Sequence, residues 1–402
     1  MTAPPAAGRS APHSPRHIVG ETRVSIAGAL AGHRNSLGVI RLVLASAVIF
    51  AHAYPLGGFG AGPWLTYTNN QVSLGSLAVL GFFAISGYLI TKSGLNADVL
   101  QYLWRRVLRI FPAFWVVLLI GAFVVGPLVW VANGQPLANY FSRVPGNPFA
   151  YVMANWDLSI GAYGVRDVFA ATTPYGNEVG GSVLNGSIWT LIYEWNCYLI
   201  IGAAVALGVL RRARVLIPVV TAVMLVVQAL YQTDRGALVA LAPILADREL
   251  INLTLTFMLG ATLAVYSQRV VFSNVLGVGA GALTLATLHF GGFLTIGLVA
   301  GTYFIMYLAA RLPRRLQWIG TKNDYSYGVY IYGFLVQQTV AFFGGHRLGY
   351  LPFALIALII SLGLAWLSWH IVEKRAMALK SWGPGRGLDY WLEAVRAGRV
   401  KR

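Results

Sequence analysis

Charge is scarce in this 402-residue sequence: Asp, Glu, Lys and Arg make up only 11% of it. A soluble protein carries about 25%, because it needs them to cover its surface. Acids are the scarcer sign, 13 against 30 Lys and Arg. Cys197 is the single cysteine, which excludes an intrachain disulfide, a Cys-rich metal site and a CxxC redox pair. Also missing are a signal-peptide core, an internal repeat of solenoid length, and the matched halves with broken helices found in many transporters. What is present is apolar: 57% of residues are hydrophobic and the mean hydropathy is +0.65. Most of the surface must therefore face something other than water. The fold expected is an all-α polytopic membrane protein.

A helix crosses a bilayer in about 20 apolar residues. Ten runs qualify: 37–55, 73–92, 112–131, 188–210, 214–231, 250–267, 272–289, 292–310, 325–343 and 352–372. They make up a membrane domain of residues 36–375, between a disordered tail of residues 1–35 and a basic tail of residues 376–402. Residues 93–111 begin at a helix cap, Asn96, and run up to Pro112. Leu100, Leu103, Trp104, Val107 and Leu108 lie along one side, which predicts an interfacial amphipathic helix with that side in membrane lipid. Residues 132–187, rich in Asn, Gly, Pro, Tyr and Ser, read as a structured external loop. With the N-terminus inside, 24 of the 30 basic residues fall in the inner connections and tails and five in the outer loops. Positive-inside bias thus places both termini in the cytoplasm. It also accounts for the charge excess without nucleic acid.

An ionisable side chain at membrane depth is costly and is a functional candidate for that reason. Arg41, His52 and Glu194 lie within the spans. Arg41 and His52 are separated by three helical turns, which puts both on one face, about 16 Å apart along the axis. Glu194 lies at the depth of His52. Each also has a structural reading: a snorkelling arginine, a hydrogen-bonded interfacial histidine, a carboxylate in an ion pair. A His and a Glu at matching depth point to acid–base chemistry or a proton relay. Arg106 and Arg109 share a helix face suited to capturing phosphate, with Arg105 beside them, although positive-inside bias and anionic lipid also explain basic residues there. Ser86, Tyr193 and Asn196 are second-rank polar candidates, of a kind that also serves as packing between helices. The outer acids, among them Asp157, Asp167, Asp247 and Glu249, form no tight metal-spaced cluster, so no metal is expected.

These residues resemble the acyltransferase 3 family of bacterial integral-membrane acyltransferases, over roughly residues 35–375. Arg41…His52 matches the family's Arg-x10-His pattern, and GFFAISGYLI (81–90) its Phe-Phe-x-x-Ser-Gly segment. RRVLRIFP (105–112) is similar to its Arg-x-x-Arg-Ile-x-Pro motif. SIWTLIYEWNCYL (187–199) is similar to its Trp-Ser-Leu-x-x-Glu segment, with Thr190 in place of Ser and Glu194 kept. SYGVYIY (326–332) and WHIVEKR (369–375) also match. One departure is Gly333, after Tyr332, close to where relatives often have His.

The resemblance implies an O-acyltransferase of the bacterial inner membrane. It would move an acyl group, by family default acetyl, from cytoplasmic acyl-coenzyme A to a hydroxyl of an extracytoplasmic glycan or lipid-linked saccharide. Arg106 and Arg109 would then hold the donor's phosphates and Arg41 the donor further in. His52 would be general base or transient acyl carrier, and Glu194 would orient it or bind acceptor hydroxyls. The alternative is a proton-coupled secondary transporter or flippase with His52 and Glu194 as its relay.

Overall fold

A computed structural model describes residues 24–32 and 35–397 of the chain. The expected disordered tail lies outside them up to residue 23, and the rest of it includes a short helix, Ile26–Ala29, with Ile26 buried. Among the described residues the architecture is helical, with one isolated bridge, Ser25 to Val271, and no strand. Ten long helices dominate. They are α1 (Leu37–Gly57), α2 (Leu74–Gly94), α3 (Val99–Ala132), α4 (Thr190–Ala206), α5 (Leu216–Thr233), α6 (Arg248–Val265), α7 (Asn274–Phe290), α8 (Phe293–Arg311), α9 (Ser326–Phe342) and α10 (Tyr350–Ser381).

Seven of these are long and apolar enough to cross a membrane by length and composition, and α4 and α7 are shorter apolar helices. Helix α9 is different because it is an internal element. Every residue from Ser326 to Gln338 is buried, so its Ser, Gln and Tyr side chains meet protein rather than lipid. Side-chain oxygens start several helices. Ser73 caps α2, Asp247 caps α6 and Ser273 caps α7, each satisfying backbone N–H groups that a first turn leaves free.

The separate interfacial helix expected at 93–111 is absent, and so is its cap at Asn96. Asp98 caps instead, accepting from the Gln101 N–H at 2.9 Å, and the helix runs through Pro112 without ending. The amphipathic segment is therefore the first half of a long membrane helix. Proline is tolerated inside such helices because neighbouring groups and local π-turns satisfy the freed carbonyls, and a π-turn follows at Gly121–Val125. Leu103 does not face lipid alone: it packs towards Gly202 of α4, and Leu108 is buried.

Residues between α3 and α4 contain three short helices, Leu137–Tyr140, Pro148–Asn155 and Pro174–Val179. They are tied down by Tyr140, whose hydroxyl donates to the Ala122 carbonyl at 2.6 Å, and by Arg166, which bonds the carbonyls of Asn139, Tyr140 and Ser142. The C-terminal segment folds back on α3. The Trp104 indole donates to the Leu379 carbonyl, and the Leu388 N–H to the second oxygen of Asp98, both at 2.9 Å.

Helices α2 and α6 make the tightest crossing. A Cβ on Gly87 would lie 1.9 Å from the Phe257 carbonyl oxygen, and one on Gly260 2.1 Å from that of Ala84. Close backbone approach through small residues is how apolar helices associate in lipid. Gly260→Ala should therefore force the pair apart and cost about 1–3 kcal/mol, seen as a lower unfolding temperature in detergent. Gly363→Ala, at a position with open space around it, should leave that temperature unchanged.

Candidate active site

At the end of the bundle where α1, α3 and α9 begin, a half-buried acid collects two arginines. Gly38 on α1 and Gly320 approach so closely that a Cβ on Gly38 would lie 2.4 Å from the Ile319 carbonyl oxygen. That contact presses the turn before α9 onto α1. Asp324, four residues on from Gly320, forms an ion pair with Arg41 of α1 and a second, at 2.6 Å, with Arg109 of α3. Arg109 also reaches Glu373 of α10 at 3.2 Å, in the π-turn Trp369–Glu373. The remaining Asp324 oxygen accepts from the Ser326 hydroxyl at 2.6 Å. Burial raises the Asp324 carboxyl, but Arg41 and Arg109 outweigh it and hold it at about 2.

Arg41 has a second aspect. It lines an inner cavity of about 40 Å³ together with Phe82, Phe83, Thr190, Glu194, Tyr327 and Tyr330. Glu194 is fixed there by two hydroxyl donors, Ser86 at 3.0 Å and Tyr198 at 2.5 Å. Thr190, one turn before Glu194 on α4, shares a 2.5 Å bond with Tyr330, and Tyr330 also donates to the Ser187 carbonyl at 2.9 Å. The substitution of Thr for Ser at 190 thus keeps a hydroxyl where Tyr330 needs one. Towards the bundle end, Arg41 also lines a more open pocket of about 230 Å³ with Asn35, Thr321 and Asp324. One guanidinium is therefore a wall of both spaces.

The structure joins Arg41, Glu194 and Ser86 in one place and leaves His52 apart from them. His52 sits near the opposite end of α1, edge-on to Phe334 with ring centroids 5.5 Å apart, and its Nδ1 is buried without a partner. Glu194 spends its hydrogen bonds on Ser86 and Tyr198. Between Arg41 and His52 the α1 face is filled by buried Ala45, Val48 and Ile49. Gly333 packs on that face: a Cβ there would lie 2.9 Å from Ile49 Cγ1, so this chain leaves no room for the larger side chain. Tyr193 points to α6 and donates to Asp247 at 2.7 Å, whereas Asn196 is exposed.

The basic triplet divides. Arg109 is committed to Asp324 and Glu373. Arg106 lies over the rings of Tyr102 and Tyr198, at 5.8 and 5.9 Å, with one long bond to Ser93. The Nε atoms of Arg105 and Arg106 are buried and unpartnered. Sequence reasoning missed Asp324, Glu373, Tyr198 and Tyr330. Tyr198 was within reach, since a Tyr four residues after a membrane-depth Glu lies on the same helix face.

Asp324→Asn should leave Arg41 and Arg109 short of a counter-charge and cost about 3 kcal/mol. The carboxyl is held below its unfolded value, so its contribution is complete above the ordinary carboxylate range near pH 4 and is lost as pH falls towards about 2. The unfolding-temperature gap between wild type and Asp324→Asn should stay constant from neutral pH down to about pH 5 and shrink below it.

An O-acetyl transferase of Shigella phage Sf6 is 29% identical over 363 residues, covering 88% of this chain and 99% of the relative. Nodulation protein 10 of Rhizobium leguminosarum bv. viciae is 26% identical over 379 residues, covering 87% of this chain and 95% of that protein. No solved structure matches. The family described as an acyltransferase domain matches residues 34–370, a stretch that includes Arg41, His52, Glu194 and Asp324: the chain is a multi-pass membrane protein of the acyltransferase 3 family.

Proposed function

We propose that this protein transfers an acyl group, acetyl in the simplest case, from acyl-coenzyme A on one side of a bacterial inner membrane to a hydroxyl on the other. The acceptor is a glycan or a lipid-linked saccharide. The observation that carries this reading is the double role of Arg41, a wall both of the outer pocket beside Asp324 and of the inner cavity that holds Glu194. A donor with a charged head and an extended acyl-bearing arm suits that sequence of spaces. Its phosphates would meet the basic cluster at this end of α3, Arg105 and Arg106, with Arg109 and Arg41 supplying further positive field. The distribution of basic residues supports a cytoplasmic position for this mouth and for both termini.

In the transfer step, which requires the acyl end to pass Ala45, Val48 and Ile49 and reach His52, the acceptor oxygen attacks the thioester carbonyl, the hydroxyl proton passes to His52, and the coenzyme leaves as its thiolate. The alcohol is the poorer participant, so a base acting on it gives the larger gain. His52 Nδ1 has no hydrogen-bond partner, and in the tautomer protonated on Nε2 it offers the lone pair a base requires. Glu194, held by Ser86 and Tyr198, acts on polar groups of the bound substrates inside the cavity rather than by orienting His52. The relay reading draws no support from the geometry, because Glu194 bonds Ser86 and Tyr198 while His52 meets Phe334.

His52→Ala should lower acyl-coenzyme A-dependent transfer by about 10²–10⁴-fold with assembly intact; wild-type turnover would remove His52 from the mechanism. Arg106→Ala should weaken donor binding about tenfold, the loss of one charge-assisted contact. Unchanged donor affinity by equilibrium titration would make the arginine a structural or lipid-facing group.

A further inference from the structure

Beyond α10 the chain forms one more helix, α11 (Leu388–Arg396), which takes no part in the site. Its outer side is unlike that of a solvated helix. At about 100° per residue, Leu388, Leu392 and Val395 fall on one stripe, and they are 40, 45 and 48% exposed. To one side of the stripe lie Trp391, half-buried, and Ala394, buried; the Trp391 indole donates to the Gly383 carbonyl at 3.0 Å. To the other side lie Asp389, Glu393 and Arg396, all exposed. Protein, bare hydrocarbon and charge thus follow one another around the helix. A helix resting on a membrane beside its own bundle has that order, with the apolar sector at the acyl boundary.

The stripe is held out from a firm seat. A Cβ on Gly385 would lie 2.1 Å from the Lys380 carbonyl oxygen and 2.9 Å from the Trp104 ring, and one on Gly387 would lie 2.5 Å from Asp98 Oδ2. Gly387 also has φ of 96°, a value that favours glycine. The next residue, Leu388, donates its N–H to the same Asp98 oxygen. Asp98 comes four residues after the end of α2 and caps α3. Helix α4 ends at that level too, with Val205 against Gly94. The clasp therefore fixes α11 where three membrane helices meet the surface. Trp382 and Tyr390, both exposed on this segment, are the residue types that settle at headgroup level.

Charge identifies the lipid. From Lys374 to Arg396 the chain carries five bases, Lys374, Arg375, Lys380, Arg386 and Arg396, against two acids, Asp389 and Glu393. All five bases are exposed, and among the described residues none is in an ion pair. We propose that α11 is a surface anchor for anionic lipid. Leu388, Leu392 and Val395 enter the leaflet at the Arg105–Arg109 end of the bundle, and Lys374, Arg375 and Lys380 hold anionic headgroups around them. A second copy of the chain could also cover three apolar side chains, but it would bring the same positive excess against this one. Such an anchor requires only a membrane-spanning chain, whatever its reaction.

The test uses full-length protein with Cys197→Ala, so that one introduced cysteine carries a spin label, in nanodiscs holding one protein each. Leu392→Cys and Val395→Cys report the stripe independently, and Glu393→Cys reports the charged side. Power-saturation spectra compare collisions with oxygen, which concentrates in lipid, and with an aqueous nickel chelate. In discs containing phosphatidylglycerol, both stripe labels should favour oxygen and the Glu393→Cys label the chelate. The oxygen preference should fall in phosphatidylcholine alone. Adding Lys374→Gln, Arg375→Gln and Lys380→Gln should remove that difference between discs, about fivefold in lipid partition for each base lost, with the unfolding temperature unchanged. Chelate preference at both stripe labels in either disc would overturn the proposal, and is the outcome expected if the stripe serves a second copy. An oxygen preference indifferent to phosphatidylglycerol would overturn it as well.

Discussion

One carboxylate organises the functional half of this bundle. Asp324 takes up the charge of Arg41 and of Arg109, residues brought to it from 283 and 215 positions away. Neither arginine would be tolerated at its depth without a counter-charge. Through Arg109 the network extends to Glu373, so α1, α3 and α10 all converge on the turn that precedes α9. Helix α9 hangs from that turn by Ser326 and supplies Tyr327 and Tyr330 to the cavity wall. The shape of the cavity beside Glu194 is thus set by an ion-pair cluster at its edge, with Arg41 common to both. This explains how a small polar space persists among side chains that are otherwise apolar.

The helices were legible because a bilayer imposes a length on apolar runs, and that signal needs no partner to be read. Arg41 and Glu194 were legible for the converse reason, as ionisable groups in the wrong solvent. What pairs with them was not. Ion pairs between residues hundreds of positions apart leave no local pattern, and Asp324 lay in a connection read chiefly for its basic residues. Glu373 fell one residue beyond the last expected span. Matching depth led to the expectation of a His52–Glu194 contact, but depth is a single coordinate. The direction each residue faces depends on how α1 and α4 are rotated, and that is decided by packing such as Gly333 against Ile49. Pro112 misled in a different way. A proline that ends helices in water leaves a membrane helix intact when its neighbours satisfy the freed carbonyl.

Burial in this protein is divided between two solvents. The exposed large apolar side chains on α5, α7 and α10, such as Val223, Val278 and Ile359, suit lipid. Helix α9 and most of α2 are enclosed by protein. The enclosed helices supply Ser86, Tyr327 and Tyr330 to the site and Gly87 to the close crossing with α6, while α10 adds Glu373 from its last turns and α7 packs on α8 through Gly277 and Gly281.

The fold-back of the C-terminal segment bears on how the chain is made. The second oxygen of Asp98, at the start of α3, is bonded to the N–H of Leu388, 290 residues later, and Trp104 waits for Leu379. A ribosome must therefore deliver the chain as far as Leu388 before the first turn of α3 acquires its final neighbours. Until then Arg105, Arg106 and Arg109 are inserted beside a helix start that is only half clasped. Nascent chains arrested before Leu379 would keep this region open to the insertion machinery and to proteases.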